Sequence, residues 1–247
     1  MYKKYNRNYK DIDESFDNLL YSLLQAIKVS DKLTIKTNTR LLIFLLGAYT
    51  ETFLNSFLYE SHYDSKEPYF SDLEIKGFNN IKEQEKRWEY VIKIAMEKKL
   101  KKSYNELDRI EQLVYDDILN TFIVHILPII RLRNKIAHGN WTCIISGADE
   151  KVYKDLTITQ ALFKENYLSL KHKKKLLLKL KELLVALISK TNTIDENYRE
   201  LYPKIEGLSS EIDRAFNTFI KWKEKQQENY RKAEFYKNKN MNKLLLE

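Results

Sequence analysis

Residues 41–58, with the sequence LLIFLLGAYTETFLNSFL, form the most apolar stretch of the chain and decide its fold class. The pattern predicts a helix over residues 37–60 that is buried on most of its sides. Its longest apolar run, residues 41–49, is far shorter than the ~18 residues that are needed to span a bilayer. We therefore expect this segment to be the core helix of a protein without a membrane span.

The composition of the whole chain favours helices. Its 247 residues include only 5 glycines and 3 prolines, which leaves little material for turns and argues for long helices rather than many strands. A hydrophobic share of 43% is enough to bury a core. The single cysteine, Cys143, excludes an internal disulfide, and the polar N-terminus lacks the apolar segment of a signal peptide. The sequence thus predicts an all-α fold and a cytoplasmic location.

Apolar residues recur at helical spacing along the rest of the chain. Amphipathic helices are predicted over residues 11–29, 80–100, 103–128, 129–138, 168–190 and 210–236. Pro128 is expected to kink the helical path or to restart it. Residues 61–80 are predicted to form a loop with one short helical turn, and residues 194–210, which contain Pro203 and Gly207, a connector.

Three regions follow from this pattern. Residues 1–32 are predicted to form an N-terminal helical extension and residues 33–195 a helical domain, in which β-prone residues 141–145 and 151–158 suggest a small hairpin. Residues 196–247 are predicted to form a C-terminal helix whose polar end frays. The net charge of +8 permits a polyanionic partner such as RNA.

The residues with the greatest chemical potential lie in residues 132–139, LRNKIAHG. An arginine that keeps its charge, close to an imidazole that titrates near neutrality, can act on a phosphodiester without a metal. Each helical residue turns the chain by about 100°. Asn134 and His138 therefore share a face, and the amide is expected to hydrogen-bond the imidazole. Gly139 suits the left-handed residue that ends a helix. The alternative is a surface Arg-Asn pair beside a histidine that caps the helix.

Arg133 and His138 are less well placed for each other. They are five residues apart, about 140° around the helix axis, so they do not stack on one another. A second copy of the helix, packed face to face, would instead place two arginines and two histidines around one cleft. The spacing thus favours a composite site in a homodimer.

The same segment resembles the signature of HEPN domains (higher eukaryotes and prokaryotes nucleotide-binding), an arginine, often followed by asparagine, with a histidine four to six residues later. The resemblance extends loosely over residues 37–190 and is sharp at the motif. It implies a small helical bundle that dimerises, and many such domains are metal-independent ribonucleases of toxin and abortive-infection systems. It also implies catalytic roles for Arg133 and His138, with Asn134 in support. Toxins that pair with a nucleotidyltransferase antitoxin usually carry a tyrosine two residues after the histidine, where this chain has Asn140.

Other candidate residues were weighed individually. Glu51 is the one acid inside the apolar helix, and we expect it either to orient Arg133 or His138 or to lie on an exposed strip. His125 is predicted to be a hydrogen-bonded core histidine, and Asp116 and Asp117 to lie on a solvated face. The histidines and the cysteine lack zinc-ligand spacing, and the chain has no glycine-rich phosphate loop. No metal or cofactor is therefore predicted.

Together these features predict a metal-independent endoribonuclease of a bacterial toxin or anti-phage system. It would act as a homodimer on RNA, with an antitoxin or a second defence component as a further partner. Two alternatives stay open: a non-catalytic HEPN-like module that binds RNA or nucleotide, and a helical adaptor in which the motif is coincidental.

Overall fold

The computed structural model describes residues 2–61, 67–141, 145–146, 153–154, 156–189 and 194–244. These residues are predominantly helical, which confirms the all-α class. The helices are α1 Tyr2–Lys28, α2 Lys32–Phe57, α3 Asp72–Asn80, α4 Gln84–Leu100, α5 Arg109–Thr121, α6 Leu127–Ala137, α7 Leu156–Lys164, α8 Tyr167–Ser189 and α9 Ile194–Leu244.

Helix α2 lies at the centre of the bundle, as its apolar sequence predicts. It packs against α1, α6 and α8, and its large side chains are almost completely buried. Phe53 of α2 packs on Trp88 of α4, and Trp88 stacks on Phe122 with ring centroids 5.1 Å apart. At its start, the Asp31 side chain accepts a hydrogen bond from the backbone N–H of Thr34 at 3.0 Å and satisfies one of the free helix donors. The core thus forms around a helix that is covered on several sides.

The helical path between α5 and α6 changes its geometry just before Pro128. A π-helical turn, Phe122–Ile126, separates the two helices, and Pro128 lies in the first turn of α6. Proline has no N–H to donate to the carbonyl four residues earlier, so the regular hydrogen-bond pattern is interrupted there. The sequence predicts a kink or a restart at Pro128, and a new α-helical segment does begin at Leu127, within a helical run that continues from α5.

One described helical run, Glu111–Ala137, has the length and apolar composition of a membrane span. Core helices of soluble proteins meet the same criterion. This run contributes Phe122, Ile129 and Leu132 to the hydrophobic core, so it gives no clear transmembrane signal.

Two predicted irregular segments are more helical than expected. Within residues 61–80, Ser71 and Glu74 form a capping box that starts α3, a full helix of 9 residues. The connector predicted at residues 194–210 is wrong, because α9 is continuous from Ile194 to Leu244. Pro203 removes one backbone hydrogen bond, but Ile205 and Ile212 of α9 are buried in the core, and this packing holds the helix together.

Two other boundaries differ from the prediction. The capping box at Ser103 starts a short 3₁₀ turn, Tyr104–Glu106, and α5 begins only at Arg109. Beyond the motif, Ile145–Ser146 pairs antiparallel with Tyr153–Lys154. The second predicted strand is wrong over residues 156–158, where α7 begins. The predicted residues 142–144, 151–152 and 155 lie outside the described part of the chain.

Candidate functional site

The motif helix α6 approaches α2 most closely at Gly47. A Cβ atom added to this glycine would lie 2.4 Å from the Cβ and 2.7 Å from the Cγ of Arg133, well inside van der Waals contact. Further along, Arg40 of α2 meets Trp141 beyond the end of α6, so the two helices run antiparallel. The missing side chain of Gly47 therefore allows Arg133 to lie directly against the core helix.

Arg133 is fixed by two hydrogen bonds. Its Nη2 pairs with the carboxylate of Glu51, and its Nη1 donates to the Oδ1 of Asn134 at 2.9 Å. Side chains of a helix lean towards its N-terminus, and in α6 this direction leads to the end of α2 that carries Glu51. The arginine is 28% exposed and the glutamate 37%. Glu51 thus contacts Arg133 and not His138, on a partly exposed side of α2.

The expected contact between Asn134 and His138 is absent. The amide oxygen of Asn134 accepts from Arg133, and in the described part of the chain no hydrogen bond joins it to the imidazole. The neighbouring arginine carries a full charge, so it is the stronger donor for the amide oxygen. Asn134 therefore supports the arginine of the motif and not its histidine.

His138 caps the C-terminal end of α6 and is exposed. Gly139 has φ of 82°, the left-handed conformation that the sequence predicts. Its N–H donates to the carbonyl of Ile136 at 3.0 Å, and the N–H of Asn140 donates to that of Lys135 at 3.1 Å. These two bonds form a Schellman motif, which ends the helix sharply and leaves the imidazole open to solvent.

Arg40 is a buried residue near the motif that the sequence analysis missed. It is only 4% exposed, and it donates to the carbonyl oxygens of Trp141 at 3.1 Å and Leu162 at 3.0 Å. Burial lowers the pKa of its guanidinium below the ordinary value. Arg40 thereby ties the chain that follows the motif to both α2 and α7. The position of an arginine beside the apolar run of α2 was the sequence feature that could have identified Arg40.

A groove of about 350 Å³ opens beside Arg133. We call it the Arg133 groove. Arg133 and Asn134 line it, whereas His138 does not. Arg131 pairs across the groove wall with Glu85 at 3.1 Å. The charged side chains of its lining are four cations and three carboxylates: Lys82, Arg87, Arg131 and Arg133 against Glu51, Glu83 and Glu85.

The remaining candidates have other surroundings. His125 lies buried in the π-helical turn, and burial lowers its pKa below the ordinary value. Its predicted core position is confirmed, but the described residues make no hydrogen bond to its imidazole. Asp116 is exposed and accepts a hydrogen bond from Tyr104 at 3.3 Å. Within the described residues, no group of three His, Cys, Asp or Glu is arranged to hold a metal ion.

Comparisons of the chain with known protein families, curated proteins and solved structures found no match. The resemblance to HEPN domains therefore stays a prediction from the motif.

Proposed function

We propose that the protein is a metal-independent, HEPN-like endoribonuclease whose Arg133 and His138 act on the same phosphodiester. The observation that carries the proposal is the environment of Arg133. Gly47 allows it to pack closely on α2, and Glu51 and Asn134 hold its guanidinium at a groove. An ion pair of this exposure adds only about 0–1 kcal/mol to stability. The pair is therefore better explained by orientation than by stability.

The guanidinium retains donors for a substrate. Arginine has five N–H donors, and Glu51 and Asn134 occupy two of them. The free donors can bind the non-bridging oxygens of a phosphate through charge-assisted hydrogen bonds. The planar guanidinium directs these donors in a fixed geometry that the ammonium group of lysine lacks. As charge builds up on the phosphorane, these hydrogen bonds strengthen, which lowers the barrier to reaction.

His138 supplies proton transfer. Its imidazole takes the proton from the ribose 2′-hydroxyl, and the 2′-oxygen attacks the phosphorus while the bond to the 5′-oxygen breaks. The leaving 5′-oxygen receives a proton from a protonated imidazole. The products are a 2′,3′-cyclic phosphate and a 5′-hydroxyl, so the reaction consumes no water and no cofactor.

The arginine and the histidine of one chain do not line the same groove. Arg133 pairs with Glu51 at the groove, whereas His138 caps the C-terminal end of α6 and lies outside the groove. We therefore infer that the site is completed by a second copy of the chain, whose histidine faces this arginine. On this proposal the functional unit is a cytoplasmic homodimer, and an antitoxin or defence component would control it.

The test is RNA cleavage by the full-length protein. Arg133→Ala and His138→Ala should each abolish cleavage while the thermal midpoint stays nearly unchanged. Arg214→Ala is the control, because Arg214 is an exposed helical arginine of α9 that lies outside the Arg133 groove. It should keep most of the activity, and wild-type cleavage should persist in excess chelator.

Three results would decide against this mechanism. Full activity in either of the two motif variants would exclude the residue from catalysis, and loss of activity in chelator would point to a metal. If the wild type binds RNA through Arg133 and His138 but never cleaves it, the protein is a non-catalytic binding module.

A further inference from the structure

A second depression lies between the π-helical turn, the junction of α7 and α8, and α9, and its volume is about 530 Å³. We call it the His125 pocket. It shares no lining residue with the Arg133 groove. Pockets that bind small molecules have volumes of roughly 300–1,000 Å³. The polar groups of this pocket take no part in the proposed ribonuclease chemistry and need a separate explanation.

The floor of the pocket contains a buried ion pair. Lys173 Nζ pairs with Glu165, and these side chains are only 8% and 7% exposed. The hydroxyl of Ser169 donates to the second carboxylate oxygen of Glu165 at 2.8 Å. A buried ion pair is often no more stabilising than apolar residues of the same volume. Stability alone therefore gives little reason for this pair.

His125 lies beside this pair without a hydrogen-bond partner in the described residues. It is only 6% exposed and lines the pocket, within a π-helical turn of the kind that is frequent at functional sites. Its ring nitrogens are not sealed from solvent, so water or a ligand in the pocket can reach them. Because burial lowers its pKa, the imidazole is neutral near pH 7 and offers one donor and one acceptor nitrogen. A ligand in the pocket could form a hydrogen bond with one of them.

The walls and charges of the pocket restrict that ligand. Val124 and Pro128 line it from the side of the motif helix, and Ile212 and Phe216 from α9. Its charged lining residues balance, since Lys164 and Lys173 face Glu165 and Asp213. Neither an anion nor a cation is favoured by such a lining. A small, uncharged ring suits a lining in which apolar side chains from two helical segments stand beside a few polar groups.

We propose that the His125 pocket binds a small, uncharged heteroaromatic molecule, such as a nucleobase or nicotinamide. Its ring would contact the apolar side chains of the two walls. A donor and an acceptor at one ring edge would meet the imidazole of His125 and the polar floor. This proposal is independent of the ribonuclease chemistry.

The experiment uses adenine, cytosine and nicotinamide as probes on the full-length protein, with binding followed by ligand-observed NMR and calorimetry. At least one probe should bind. His125→Phe, which keeps the ring but removes its nitrogens, should weaken binding about tenfold, the effect of one lost hydrogen bond in a buried site. Ala161→Phe should abolish binding by filling the pocket, and it removes no hydrogen bond. Ile220→Ala, exposed on α9 and outside the pocket, should bind as the wild type does.

The proposal is overturned if none of the three probes binds at millimolar concentration. It is also overturned if His125→Phe and Ala161→Phe bind like the wild type, or if inorganic phosphate binds there and displaces the probe. A short oligoadenylate separates two sources of the ring. If the oligoadenylate competes with adenine, the pocket binds a base of an RNA strand. If it does not compete, the pocket binds a free molecule. Either result supports a heterocycle site.

Discussion

Replacing Gly47 by alanine tests the close approach of α2 and α6 that fixes Arg133. The added Cβ would lie 2.4 Å from the Cβ of Arg133, whereas carbon atoms in contact are about 3.5–4.0 Å apart. The two helices must therefore move apart by about 1 Å or more at this point. Overpacking of this kind typically costs about 1–3 kcal/mol. The higher helix propensity of alanine offsets about 1 kcal/mol of that cost.

Gly207→Ala is the matched control. Gly207 is also helical, but no atom lies within 4 Å of a Cβ added there, so only the propensity gain of about 1 kcal/mol applies. The thermal midpoint of Gly47→Ala should thus lie below that of Gly207→Ala. The difference should be about 2–4 °C for each kcal/mol of overpacking in a chain of this size. Calorimetric unfolding of the two variants measures the difference. Equal thermal midpoints would refute the tight contact between Gly47 and Arg133.

Three further predictions concern charged and titrating side chains. Glu51→Gln keeps a hydrogen-bond acceptor for Arg133 but removes its charge, so RNA cleavage should fall less than in Glu51→Ala, and equal loss in both would show that the charge itself is required. Burial lowers the pKa of His125, so its imidazole binds a proton more readily in the unfolded chain than in the folded one. The stability of the wild type should therefore fall as the pH drops below about 6.5. In urea unfolding, His125→Gln should lose less stability than the wild type as the pH falls through this range. An equal pH dependence of stability in the two proteins would contradict the lowered pKa of His125. Glu165→Gln leaves Lys173 as an unpaired buried cation, which should cost about 3–5 kcal/mol by chemical denaturation, whereas a cost below about 1 kcal/mol would mean that water reaches the pair.

Local sequence patterns were sufficient to predict several features of the site. The apolar run of residues 41–49 predicts the buried helix α2, and Gly139 predicts the left-handed end of the motif helix. An acid inside an apolar helix was enough to suggest Glu51 as a partner for Arg133 or His138, with an exposed position as the alternative, and the structure pairs it with Arg133. These features depend on short-range periodicity and on the cost of burying a charge.

Long-range contacts could not be predicted in the same way. The fit of Gly47 against Arg133 and the contact of Arg40 with Trp141 each join residues that are more than eighty positions apart. The continuity of α9 through Pro203 depends on the burial of Ile205 and its neighbours in the core, which local propensity does not contain. Tertiary packing therefore decided the features that the sequence pattern left open.

A mixed dimer tests the composite ribonuclease site most directly. Arg133→Ala and His138→Ala chains, each inactive alone, would be joined as a purified heterodimer with two different tags. If each site takes its arginine from one chain and its histidine from the other, the heterodimer has one intact site and should recover about half of the wild-type activity. A heterodimer that forms but cleaves no RNA would contradict a site built from one arginine and one histidine, and would point to one cleft that needs both arginines and both histidines. A wild-type monomer that cleaves at full rate would contradict the composite site outright.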